Sequence, residues 1–329
     1  MKAIKILTMA ALATAVFASC SNEDGLPQSN YPADNVVRIM TSVDGMNTRA
    51  SYGNSTDKLK WFGFCIKNAN SEKYTYDNIK VSQEGSNWNP ATQMLWQNST
   101  TAVDILAYAP YQETTEDASG KVKVFGKTDY AFSVKEDQSN AEDYSSDLIV
   151  YKQTGFTPGL ELNTSKAVDV TFTHLLSQLN LTIELRDQFN QDEKKPVTSA
   201  TVTDVKVDGT LIRSKVNFAA DPISVQFDGR ASKAITPETV AFTKADKTTD
   251  HATFKYSAIV IPQWIMAGTF CISFKVNGND YIWTSTSDVN FVSGKKHDLL
   301  LLVGKDVVQG GAITAKPWGE ETIIEKETD

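Results

Sequence analysis

Histidine and cysteine are both scarce in this chain, at three residues each. His174, His251 and His297 stand far apart, and no His-x-x-x-His or Cys-x-x-Cys pair exists, so a local zinc site has no support. No Gly-x-Ser-x-Gly elbow, phosphate loop or dinucleotide fingerprint is present. Lacking a nucleophile or metal constellation, the chain is expected not to be an enzyme and to hold no metal and no cofactor. Positive charge is also short, with 32 Lys and Arg against 40 Asp and Glu and a formal charge of −8. Such a surface repels phosphates, which excludes nucleic acid as a partner and adhesion to anionic lipid by charge. Asp137, Glu142, Asp143 and Asp147 cluster locally but lack the alternating spacing and central glycine of a calcium loop, so they read as a solvated face. No segment of a dozen residues carries a clear helical stripe. With 41% hydrophobic residues the chain still has enough apolar side chains for a buried core.

The N-terminus carries the most specific signal. Lys2 and Lys5 form a short basic head, and Ile6 to Phe17 is an almost unbroken apolar run. That run is shorter than the ~20 residues a spanning helix needs, and it fits the centre of a cleavable secretory signal. Phe17-Ala18-Ser19-Cys20 places small residues before a cysteine whose thiol can carry a diacylglycerol and whose freed amine can carry a third acyl chain, palmitate included. At ~0.8 kcal/mol per buried methylene, two or three chains hold firmly. Residues 1–19 are therefore expected to be a lipoprotein signal and Cys20 the lipidation site. An ordinary secretory signal with a chance cysteine is the plainer alternative. Loss of Lys2 and Lys5 with the signal makes the mature chain more acidic still. Cys65 and Cys271 lie in apolar runs far apart. A disulfide between them is open in an oxidising compartment, and two buried thiols are the plainer reading.

Beyond a polar, Pro- and Gly-containing tether at 20–35, the dominant period is two. Val37, Ile39, Thr41 and Val43 alternate with polar residues before Asp44-Gly45. Val122 and Val124 alternate with lysines. Val202, Val205 and Val207 lead to Asp208-Gly209. Phe254 to Val260 alternates, and Phe270 to Val276 runs into Asn277-Gly278. Asn-Gly and Asp-Gly after alternating runs signal hairpins, because both turn residues take positive φ. The stretch 172–185 reads mostly as strand. An all-β chain of β-sandwiches follows. The polar break at Asn163 to Lys166 suggests an N-terminal sandwich at 36–165 and a C-terminal one at 166–318, with an acidic tail at 319–329. Of Trp61, Trp88, Trp96, Trp264, Trp283 and Trp318, most sit in apolar runs; Trp88, in Gly85 to Pro90, reads as exposed.

Several stretches, in order, carry a family resemblance. They are Asn47-Thr48-Arg49-Ala50 followed by Trp61-Phe62-Gly63-Phe64; Asn87-Trp88-Asn89-Pro90 with Val103 to Tyr111; Phe172 to Leu179; Ile261-Pro262-Gln263; and Phe291 to His297 with Ile313 to Trp318. Together they resemble the fimbrillin-like family of Bacteroidales surface lipoproteins, the subunits of type V pili, although that family often has Tyr where His297 stands. Ser21-Asn22-Glu23-Asp24 likewise resembles the tag that sends such lipoproteins to the outer face of the outer membrane. The resemblance implies two tandem transthyretin-like β-sandwiches and a subunit of an adhesive surface fibre. Implied partners are other fimbrial subunits in a homo- or heteropolymer, the outer membrane through the lipid, and a host or bacterial surface ligand. It also implies assembly by strand exchange: a protease cuts after an arginine, the first strand leaves, and a neighbour's strand fills the groove. Here the cut would fall between Arg49 and Ala50, the displaced strand would hold Val37, Ile39, Thr41 and Val43, and the donor would hold Ile313, Ala315 and Ile323. Arg49 as an ordinary loop residue, with the lipid retained, stays open, as do shaft, tip and anchor roles. The other reading is a non-polymerising surface lipoprotein that binds glycans, which an exposed planar row of Trp or Tyr would mark.

Overall fold

Alternating β-branched and aromatic residues become strands almost throughout this computed structural model, which describes residues 29–43, 56–113, 124–190, 196–229, 232–245 and 251–318. The first nine strands are β1 (Ile39–Val43), β2 (Trp61–Lys67), β3 (Tyr76–Glu84), β4 (Asn87–Pro90), β5 (Val103–Ala109), β6 (Tyr130–Ser133), β7 (Ile149–Phe156), β8 (Val168–His174) and β9 (Ser177–Leu185). Next come β10 (Val202–Asp208), β11 (Arg213–Asn217), β12 (Ser224–Phe227), β13 (Glu238–Thr243), β14 (Ala252–Val260) and β15 (Gln263–Ile265). The last are β16 (Cys271–Val276), β17 (Asn279–Thr284), β18 (Val289–Phe291), β19 (Lys295–Val303), β20 (Val308–Gly310) and β21 (Thr314–Pro317). Helix among the described residues is limited to single turns such as Pro158–Glu161 and Asp187–Asn190. The protein is all-β, as its periodicity predicts.

A seven-stranded sheet in the order β1-β8-β7-β5-β2-β3-β4 forms the first layer. It curls so that its two edges approach each other. The chain beside them closes the gap: Val37 N donates to Met94 O (3.0 Å) and Trp96 N to Asn35 O (2.8 Å). Inside the curl Phe62 is fully buried, with ring centroids 5.3 Å from Phe172 and 5.1 Å from Trp88 in edge contacts. The opposite face of the same sheet, through Cys65, Leu106, Tyr108 and Val150, joins a second and larger core. That core is built on β13-β14-β9-β19-β20, with β21 also on β19, together with β10-β16-β17 and β12-β11-β6.

The structure redraws several expected features. The polar break at 163–166 lies inside the first sheet, because β8 follows it and pairs with both β1 and β7. The handover between sheets falls at Leu175-Leu176 instead, while β6 leaves the first half to pair with β11. Within the expected tether, residues 30–32 dock on the body: Tyr31 rests on the first core and Asn30 Nδ2 donates to Leu162 O (3.0 Å). Asn277-Gly278 does turn β16 into β17, with φ of 52° and 83°. Asp208-Gly209 makes no hairpin, since β10 pairs with β16. The 202, 205, 207 spacing reflects a bulge between Thr203 and Lys206, which turns Val205 back to the core. Asp44-Gly45 and Val122 lie outside the described residues.

Gly209 is required twice over. Its φ is +83°, and a Cβ there would lie 2.2 Å from Thr269 O. Gly209→Ala is expected to cost about 1–3 kcal/mol, read as a lower urea midpoint at unchanged m-value.

Candidate functional site

The features that stand out are the two ends of the described chain, both placed on sheet edges. β1 runs parallel to β8 in the register Ile39↔Val168 to Val43↔Phe172, with Val168 N donating to Arg38 O (2.8 Å). The alternation works as the sequence predicts. Val37, Ile39 and Val43 are 3%, 6% and 5% exposed and enter the first core, while Met40 faces out and Ser42 Oγ donates to Thr171 Oγ1 (3.0 Å). Thr41 also faces inward, and its hydroxyl oxygen is buried without a hydrogen-bond partner among the described residues. On its free side β1 borders a groove of about 480 Å³ whose far wall is Asn87, Trp88 and Asn89 of β4. Trp88, expected to be exposed, lays its ring on Phe62. Cys20, Arg49, Ala50 and Ile323 lie outside the described residues.

At the other end β21 pairs antiparallel with β19 from Asp298↔Thr314 to Lys295↔Pro317. Ile313 packs half-buried on the second core, while Ala315 is exposed, too small to reach inward at an edge. The strand is fixed instead by Trp318. Its indole is 5% exposed and stacks on the His174 ring at 3.9 Å and 8°. His174 in turn holds Asp147 Oδ1 through Nδ1 at 3.0 Å. His174 is thus a packed, hydrogen-bonded residue, and Asp147 is fully buried rather than part of a solvated face. The indole N–H of Trp318 is buried with no acceptor among the described residues. Sequence reading missed this contact because its members are 144 positions apart; the only hint was a tryptophan closing the last strand. Cys65 and Cys271 are free thiols, one buried and one half-buried.

His297, on the β19 strand that receives β21, is 1% exposed, and its Nε2 accepts a hydrogen bond from Val292 N (3.1 Å). Burial pushes its pKa below the ordinary value, which keeps the ring neutral. An unfolded chain takes up a proton here near pH ~6.5. The unfolded state therefore binds more protons below that pH, and stability falls from there until the folded pKa is passed. The urea midpoint is expected to drop between about pH 7.5 and 5, with a shallower drop in His297→Gln.

Among the described residues no group of three or more His, Cys, Asp or Glu side chains could hold a metal ion. An all-β body carries its first and last described strands on sheet edges, where backbone groups are left open to pairing. The chain belongs to the fimbrillin-like family, whose model matches residues 48–318. Among solved structures it is similar to a candidate cell adhesion protein of Bacteroides uniformis, with 20% identity and a TM-score of 0.56 over 87% of this chain and 99% of the other. A candidate cell adhesion protein of Bacteroides ovatus gives 13% identity and a TM-score of 0.61 over 88% and 100%. A fimbrial protein of Bacteroides vulgatus gives 16% and 0.50 over 85% and 99%. At these identities the likeness is one of fold. No curated protein sequence matches the chain.

Proposed function

We propose that this protein is a structural or adhesive subunit of a surface fimbria that joins its neighbours by strand exchange. Family membership and the shared fold support a fimbrial or adhesive subunit. The exchange step is our own reading, and one observation carries it. β1 touches the sheet on one side only, yet its inward side chains complete the first core. The family match also begins at residue 48, after β1. A cut after Arg49 would free that strand with everything before it. It would leave a groove along β8 lined by Phe172, Val170 and Phe62 for an incoming strand. Five paired residues at ~1 kcal/mol per hydrogen bond, with three or four buried side chains at ~1.5–3 kcal/mol each, give a slowly dissociating joint.

The donor in this reading is the C-terminal segment containing Ile313, Ala315 and, further on, Ile323. Before the cut, the lipid on Cys20 would tether the protein to the outer face of the outer membrane, and the body reads as two transthyretin-like sandwiches. The glycan-binding lipoprotein has less in its favour. Trp61 and Trp264 are the strongly exposed tryptophans among the described residues, and they lie on different sheets rather than in a row. The test is Arg49→Ala expressed in the native host. The variant is expected to keep its N-terminus and to lose the ladder of polymers on gels of unheated extracts. A variant that still shed β1 and polymerised would refute the assignment of Arg49.

A further inference from the structure

The outward face of the β13-β14-β9-β19-β20 sheet carries a second feature that strand exchange does not use. Two rows of paired residues cross it: Lys255, Thr182 and Leu300, and beside them Ser257, Asn180, Asp298 and Thr314. At ~4.8 Å between strands and ~7 Å between alternate residues, these rows make a floor of about 10 by 7 Å. The middle of the floor is low because Thr182, Ser257 and Asn180 are short. One side stays open because the edge strand breaks at Gly311-Ala312, between β20 and β21. Val240, Lys255 and Lys316 rise around it, and the cavity measures about 280 Å³.

Its polar groups are arranged rather than scattered. Asn180 Nδ2 donates to Asp298 Oδ1 (2.9 Å), and Lys316 Nζ lies 3.3 Å from Asp298 Oδ2. Asp298 is thus fixed and neutralised. Lys255 makes no ion pair among the described residues and is the surplus positive charge of the pocket. We propose that this pocket binds a hexuronic acid unit, a six-membered sugar ring bearing one carboxylate. The floor matches one ring in size. Asp298 accepts from ring hydroxyls, Asn180 and Lys316 donate to them, Thr182 can do either, and Ser257, whose Oγ already accepts from Gln178 Nε2 (2.8 Å), can donate. Leu300 meets the C–H face of the ring, and Lys255 takes the carboxylate. A neutral sugar leaves Lys255 unused, and a bare anion leaves the floor unused. The inference stands apart from strand exchange, since it needs only the pocket. One wall is the segment 311–316, so an occupied pocket also holds β21 on β19 by mass action.

The test titrates the whole protein with D-glucuronate, D-glucose and acetate, reading affinity by NMR shifts and β21 opening by amide exchange at 314–316. Glucuronate is expected to bind about tenfold or more tighter than either control and to slow exchange at those amides. Lys255→Ala and the length-preserving Lys255→Gln, both at an exposed position, are expected to keep the melting temperature and abolish that margin. Equal binding of glucuronate and a control, no binding by any probe, a margin that survives both variants, or unchanged exchange at 314–316 would each overturn the proposal.

Discussion

A chain shortened to begin at Ala50 is expected to lose its independent fold or to associate with copies of itself. The truncation removes Val37, Ile39 and Val43 from the first core, along with the Tyr31 ring laid against it. At ~1.5–3 kcal/mol for each aliphatic side chain, the loss is about 5–9 kcal/mol, against the ~5–15 kcal/mol that holds a typical domain together. The hydrogen bonds from Val37 N to Met94 O and from Trp96 N to Asn35 O go as well, so the curled sheet loses its clasp. The melting temperature should fall by about 10 °C or more. A synthetic peptide of residues 29–43, added in trans, should restore most of it and return oligomers to monomer in native mass spectrometry. A truncated chain that stays monomeric with an unchanged melting temperature would mean that β1 contributes little to the core.

The second large effect is expected at the other end. Trp318→Ala removes a buried indole stacked on His174, a change that costs about 3–5 kcal/mol in a packed core. The cost here is toward the low end, because the N–H that goes with it has no acceptor among the described residues. It should also be local, since β21 contacts one strand and continues no further into the sheet. Amide exchange at 314–316 should therefore accelerate by about 10² or more, while the amides of β2 and β5 keep their protection. In the proposed assembly reaction, polymers should form faster, because the donor segment is released. Loss of protection across both cores would show that Trp318 supports the whole fold. Unchanged exchange at 314–316 would show that it holds nothing.

Much of the fold is legible in the sequence, because a half-buried strand writes its period directly. Val37 to Val43, Phe254 to Val260 and the Asn277-Gly278 turn read correctly because each is a local pattern. What was not legible depends on partners distant in the chain. Nothing near residues 163–166 shows that β8 runs back to pair with β1 and β7, so a polar turn inside a sheet resembles a boundary. Asp208-Gly209 has hairpin chemistry, but the strand paired with β10 comes from residues 271–276. Trp88 sits among polar residues and is still half-buried, because its ring meets Phe62, two strands away on the same face of the sheet. The candidate site divides in the same way. The alternating terminal strand was readable; its placement on an edge, the Trp318–His174–Asp147 contact and the pocket over Asp298 were not.

The most direct measurement is the intact mass of the protein recovered from surface polymers of its native host. Assembly through release of β1 predicts a chain that begins at Ala50 and carries no acyl groups. Polymerised protein that still begins at an acylated Cys20 would contradict it, since the strand proposed to leave would still be part of every subunit.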